Sequence, residues 1–377
     1  MFKPHAFIIL FGRRIASFTV FGIIGFVASL CITFFLIVFL QLSIYVWLFQ
    51  ILVALTAFFT LAGLMNFIKG KPVLVYYHHE IAIIFLTAVC ILFIDRKDLL
   101  KYLDITVIGL GIFLVFGRIG CFMAGCCHGK PTCFGVHYNE EHLGLGFPYY
   151  YLGAKLFPVQ LIESIGVSLI VTFLIFLVIF HQPPGEALTL YVLFYGLLRF
   201  FLEFARGDQS RPYYGRFSEA QWFSLALSVI ILILSFKGWL PNFKWHELII
   251  ILWLTILSGI FIFERKTAIP WLKIKHYQIK KLAILITHLN LPEDNKNTTL
   301  NVDANTILIT GGIIKQNNIT MKYFTVSMYP LTQSLWIESV GRIIYTLNGC
   351  SGDFTILKKD HSIMQFVIKE QQFQYEK

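Results

Sequence analysis

The sequence predicts an all-α polytopic membrane protein of about seven to eight transmembrane helices, followed by a small soluble α+β domain. Three observations predict it: long apolar runs recur, charged residues are scarce, and the composition changes after residue 265. Hydrophobic residues make up 57% of the 377 and charged residues 14%, against about 25% charged in a soluble domain. That balance excludes an ordinary cytosolic enzyme and a disordered chain.

A membrane span needs about 20 mostly apolar residues. Runs that meet or approach this lie at 15–40, 42–68, 79–95, 104–124, 158–180, 186–204, 217–236 and 247–263. The first follows Arg13 and Arg14 and is too long for a signal-peptide core, so it reads as a retained span. Charged or proline-rich breaks such as Asp95–Asp98 and Pro183–Gly185 separate the runs. Between 125 and 157 lies a long loop whose Tyr149, Tyr150, Tyr151 and Phe157 are expected along the membrane interface. Residues 1–265 thus read as the transmembrane domain. Residues 266–377 read as a basic connector and a soluble domain, with strand-like runs at Thr306–Thr310, Tyr323–Met328 and Phe354–Leu357.

The formal charge is +10. In a membrane protein such an excess meets anionic headgroups, so no nucleic-acid partner is expected. Arg13, Arg14, Lys69, Lys130, Lys155 and Arg206 fall on one face under this span order. The positive-inside tendency would put that face in the cytoplasm.

A charge inside a span costs at least about 2.5–3.5 kcal/mol, so such residues usually face a partner or a site. Arg118, Glu163, Arg199 and Glu203 are of this kind. Tyr195, Arg199, Glu203 and Arg206 are spaced four, four and three apart, which aligns them on one helix face. Arg199 and Glu203 can pair there. The set either locks neighbouring helices or lines a pocket for an anionic headgroup, since guanidinium matches phosphate geometry; the pocket is the preferred reading. Arg118 lies in a glycine string in which Gly117, Gly120, Gly125 and Gly129 allow a tight turn out of the membrane. Gln160 and Glu163 follow Pro158 and can share a polar face.

Together these stretches resemble the prolipoprotein diacylglyceryl transferase family. The resemblance rests on the glycine string around Arg118, on Pro158–Glu163, and on the run Tyr195–Asp208, with Ser218–Gln221 beginning the next span. It covers about 104 to 236 and leaves out 266–377. The family carries a diacylglyceryl group from phosphatidylglycerol to the thiol of a lipobox cysteine near a prolipoprotein signal peptide, releasing glycerol phosphate. The resemblance implies a multi-pass protein of the bacterial inner membrane that needs no cofactor and no metal. It implies catalytic roles for Tyr195, Arg199 and Glu203, and substrate contacts at Arg118, Gly129, Gln160, Glu163 and Arg206. His79, in the stretch Tyr77–Glu80, either replaces the family's base or caps the start of the third span at the interface; the base is the preferred reading. The family's motif loops face away from the cytoplasm, opposite to the charge count. Cys121 and Cys126 stand where the family usually has Asn and Glu.

Four of the seven cysteines (121, 126, 127 and 133) crowd beside His128. Small thiols packed in a turn, or a disulfide within the loop, are expected ahead of a metal site, because no paired Cys-x-x-Cys framework is present. Two other functions stay open: a non-catalytic lipid or anion carrier, and a thiol or metal membrane protein built on 121–133.

Overall fold

The computed structural model describes residues 3–10, 12–70, 75–180, 183–208, 212–214, 217–241, 276–289, 296–302, 305–316, 319–327, 334–350, 352–360 and 363–371, with a few isolated positions between 248 and 259. Seven helices among the described residues are long and apolar enough to cross a bilayer. They are α1 (Ser17–Phe39), α2 (Ile44–Lys69), α3 (Tyr76–Ile94), α4 (Leu99–Ala124), α5 (Val159–Ile179), α6 (Glu186–Ala205) and α7 (Glu219–Phe236). The expected run at 247–263 lies largely outside the described residues. A short hairpin of β1 (Phe7–Leu10) and β2 (Arg13–Ala16) precedes α1.

α4 is the axis of the bundle and packs against α1, α3, α5 and α6. Its glycines make that approach possible. A Cβ on Gly111 would lie 2.4 Å from Val171 of α5 and 3.0 Å from the Tyr191 ring of α6. Two polar devices fix the remaining helix ends. Asp104 accepts hydrogen bonds from the backbone N–H groups of Gly185 (2.7 Å) and Leu188 (2.8 Å), supplying acceptors for the α6 N-terminus. Ser218 and Gln221 form a reciprocal capping box at the start of α7. Gln221 also donates to the Phe200 carbonyl, tying α7 to α6.

The up-and-down order puts the C-terminal ends of α4 and α6 on the same side as the N-terminal ends of α1, α3, α5 and α7. The loop from 125 to 158 crosses that side. It holds β3 (Pro131–Val136) and two single-turn helices, Glu140–Leu145 and Tyr149–Tyr151. A second crossing carries β4 (Tyr213–Tyr214) and β5 (Phe217–Ser218).

The C-terminal region contains α8 (His276–Leu289), β6 (Lys296–Val302), β7 (Asn305–Gln316), β8 (Ile319–Ser327), α9 (Ser334–Leu347), β9 (Asp353–Asp360) and β10 (Ile363–Gln371). The strands form one antiparallel sheet in the order β6-β7-β8-β10-β9. Inward residues Ile309, Phe324, Val326, Phe366 and Ile368 meet α8 and α9, as the two-residue strand period requires. This core also takes in Tyr138, Phe147, Tyr151 and Leu156 of the long loop. The expectation of aromatics along the membrane interface is corrected at Tyr151, which is buried in this protein core, while Tyr149 is exposed and Tyr150 and Phe157 are half-buried. A disulfide between Cys133 and Cys350 joins the loop to the C-terminal region.

Candidate active site

Helical spacing on α6 sets Tyr191, Tyr195, Arg199 and Glu203 in one inward stripe, and all four are buried. Arg199 Nη2 lies 2.6 Å from Glu203 Oε2, the pairing that the sequence spacing predicts. Arg199 Nη1 lies 3.9 Å from Glu163 Oε2 on α5, and Arg118 Nε of α4 lies 2.9 Å from the same oxygen. Tyr195 donates its hydroxyl to Glu163 Oε1 at 3.1 Å. Arg206 lies 4.0 Å from Glu203 and makes a two-pronged contact with Asp208, at 2.8 and 2.9 Å. The result is a continuous chain, Arg118–Glu163–Arg199–Glu203–Arg206–Asp208, in which guanidinium and carboxylate alternate.

Three cations face three anions, which makes their burial tolerable. The hydrogen-bonding capacity is not used up. The Nε–H of Arg118 and both terminal nitrogens of Arg199 lie beside carboxylates, yet none aligns with an acceptor among the described residues. Buried donors left in that condition are costly, and an incoming phosphate oxygen would satisfy them.

Gly129 holds the loop over this cluster. Its N–H donates to the Phe157 carbonyl, the next N–H, of Lys130, donates to Ala205, and Gly207 donates to the His128 carbonyl. Three chain segments thus cross at one point, and a Cβ on Gly129 would stand 2.4 Å from the Phe157 oxygen. Gly129 is a crossing point for backbone and makes room for its neighbours. Gln160 also turns to the loop, donating from Nε2 to the Cys126 carbonyl at 2.8 Å.

His79 is placed elsewhere. It is buried with Nδ1 2.9 Å from the Val75 carbonyl, and its ring centroid is 4.8 Å from that of Phe58 on α2. The neighbouring Glu80 faces the cluster instead, accepting the Tyr191 hydroxyl at 2.6 Å. One step along a helix turns a side chain by about 100°, so only one of the two can face inward. Glu80, Tyr191 and Asp208 are polar partners that the sequence reading did not assign. Each carried a signal: a carboxylate in an apolar run, a tyrosine one turn before Tyr195, and an acid two residues after Arg206.

Between α1, α2 and α4, an apolar cavity of about 570 Å³ opens among Gly22, Phe26, Trp47, Phe58, Ile83 and Leu110. In the loop, burial pushes the Lys130 ammonium down to about 8. The thiols of Cys121, Cys126 and Cys127 lie within 4.8 Å of one another, while Cys133 is bonded to Cys350. Of the two readings offered for the cluster, Cys121, Cys126 and Cys127 are free thiols gathered in the turn, and the disulfide forms between Cys133 and the C-terminal region instead of within the loop.

Residues 80–237 match the family model described as prolipoprotein diacylglyceryl transferase. A phosphatidylglycerol–prolipoprotein diacylglyceryl transferase of Clostridium tetani is 38% identical over 135 residues, which is 35% of this chain and 51% of that protein. A second, from Clostridium perfringens, is 32% identical over 138 residues, 36% of this chain and 51% of that protein. One from Helicobacter hepaticus is 27% identical over 206 residues, 54% and 61% of the two chains. The chain spans about half the length of the first two of these relatives. The segment that matches this family model holds the whole alternating cluster from Arg118 to Asp208.

Proposed function

We propose that the protein transfers a diacylglyceryl group from phosphatidylglycerol to the lipobox cysteine of a prolipoprotein, in the bacterial inner membrane. The observation that carries this reading is the set of buried, unaligned guanidinium donors on Arg118 and Arg199, near the ends of membrane helices. A lipid phosphate reaches that depth, and positive charge held there stabilises the phosphate ester as it leaves. In this reading Arg118 and Arg199 touch the phosphate. Glu163, Tyr195 and Glu203 hold them at fixed angles, and Asp208 holds Arg206. The apolar cavity receives the acyl chains of the donor lipid.

The Cys133–Cys350 disulfide supports an extracytoplasmic position for the site, because disulfides persist in oxidising compartments. Arginines and lysines that serve a lipid phosphate bias a charge count without reporting topology. We read 1–265 as the membrane unit and 266–377 as an added region resting on the site-bearing loop.

Membranes containing the protein, phosphatidylglycerol and a lipobox peptide should yield a diacylglyceryl thioether and glycerol phosphate. Arg199→Ala should reduce that yield far more than Lys237→Ala. Absence of product from the unaltered protein would overturn the proposal, and headgroup binding without glycerol phosphate release would mark a carrier.

A further inference from the structure

Cys121, Cys126 and Cys127 have no part in the roles given above. Cys121 sits in the last turn of α4, after which Gly125 (φ +77°) and Cys127 (φ +54°) turn the chain back on itself. That turn gathers three sulfur atoms within 4.8 Å of one another. A zinc–sulfur bond of about 2.3 Å puts the sulfurs of a tetrahedral site about 3.8 Å apart, so little movement closes the trio on an ion. Burial is graded: Cys121 is 8% exposed, and Cys126 and Cys127 are partly open.

Two features fix its place. Arg118 lies one turn before Cys121 on α4, and Arg206 is bridged through its backbone to Gly129, two residues beyond Cys127. The thiols therefore border the arginine cluster, where the donor phosphate is proposed to lie. All three are free thiols, although Cys133 a few residues on is disulfide-bonded.

We infer that Cys121, Cys126 and Cys127 bind a divalent zinc-type ion through three thiolates, leaving a fourth position for the thiol of the acceptor peptide. Three protein ligands with an open position is the arrangement of catalytic rather than structural zinc. A thiol coordinated to such an ion is deprotonated, and the thiolate is the nucleophile. The site supplies an activation for which His79, turned toward Phe58, is not placed. The identity of the acceptor rests on the proposed transferase reading; the metal site does not.

The acceptor sulfur gives its proton to water on coordination and keeps its electron pair. That pair forms the carbon–sulfur bond to the glyceryl carbon as the carbon–oxygen bond to phosphate breaks. The oxygen leaves with the bonding pair, as glycerol phosphate beside Arg118 and Arg199. The neutral thioether is a weak ligand and departs. No oxidant or reductant is needed.

The test uses the full-length protein, reduced, stripped with a chelator and titrated with Co(II). One Co(II) per chain is expected, with a thiolate-to-metal charge-transfer band. Cys121→Ser, Cys126→Ser and Cys127→Ser should each lose the band, whereas Cys31→Ser and Cys90→Ser, elsewhere in the membrane helices, should keep it. A lipobox peptide should shift the cobalt ligand-field bands, and its Cys→Ser analogue should not. Intact-mass measurement of the unaltered protein guards against misfolded variants: one ion, with three further thiols becoming alkylatable on chelation, supports the site, and a disulfide within the trio overturns it. No stoichiometric ion also overturns it. Chelation should lower product formation by at least the ~10–100-fold lost on removing an outer partner of a metal site. An unchanged rate would sink the metal inference and leave the transferase reading standing. A peptide-dependent cobalt spectrum without lipid product would do the reverse.

Discussion

The carboxylate of Glu163 stands 2.9 Å from Nε of Arg118, an ion pair between α5 and α4 with both side chains buried. The two groups are not equivalent. Glu163 also faces Arg199 and accepts from Tyr195, so its removal strands Arg118, frees the Tyr195 hydroxyl and leaves Arg199 with Glu203 as its carboxylate partner. Removal of Arg118 leaves Glu163 still paired with Arg199.

Breaking a buried pair from one side costs about 3–5 kcal/mol. Glu163→Ala should therefore lower the thermal midpoint in detergent more than Arg118→Ala does, with the double variant losing less than the sum. Equal, additive losses would show that the two groups act independently.

Gly129→Ala should cost about 1–3 kcal/mol through overpacking, because the new methyl would sit 2.4 Å from one backbone oxygen and 3.1 Å from another. Neither atom can move without shifting α5 or α6. Gly144→Ala meets open space and should be silent. Thermal midpoints of the two variants decide it; a silent Gly129→Ala would remove this crossing as the anchor of the loop.

The α6 stripe was legible because it is local: a fixed helical pitch converts spacings of four into one face, and Arg199 does meet Glu203. The strand runs in the C-terminal region were legible for the same reason, through their alternation and turns. The partners of that stripe were not. Whether His79 or Glu80 faces the bundle depends on how α3 is rotated, which packing against α2 and α4 sets and no local pattern encodes. The pairing of Cys133 was hidden further still, since its partner lies 217 residues away and three nearer thiols competed for it.

Lys130 carries a pH dependence. Burial pushes its ammonium down to about 8, while the unfolded chain titrates near ~10.4. Between those values the unfolded state holds more protons, so this residue's contribution to stability climbs as pH rises through the window. Below about 8 the full penalty for burying the charge is present. Lys130→Met should accordingly be more stable than the unaltered protein at neutral pH, with the gap closing through the window. Parallel midpoint curves for the two proteins would contradict it.

The disulfide makes the last prediction, and it concerns both docking and topology. Cys133 lies in β3 and Cys350 just beyond α9, with Cα atoms 5.5 Å apart. Around them, Tyr138, Phe147, Tyr151 and Leu156 share a core with Ile279, Ile286 and Val340. Burial of that apolar surface holds the two regions together without the bond, so Cys133→Ser should loosen the docking and not abolish it. A loss of about 2–4 kcal/mol is the usual effect of removing such a link. Limited proteolysis within the C-terminal region should become faster while the membrane helices stay protected. In intact cells, mild reduction should then expose Cys133 and Cys350 to a membrane-impermeant maleimide added from outside. Labelling only after lysis would put this face in the cytoplasm, and the extracytoplasmic site would fall with it.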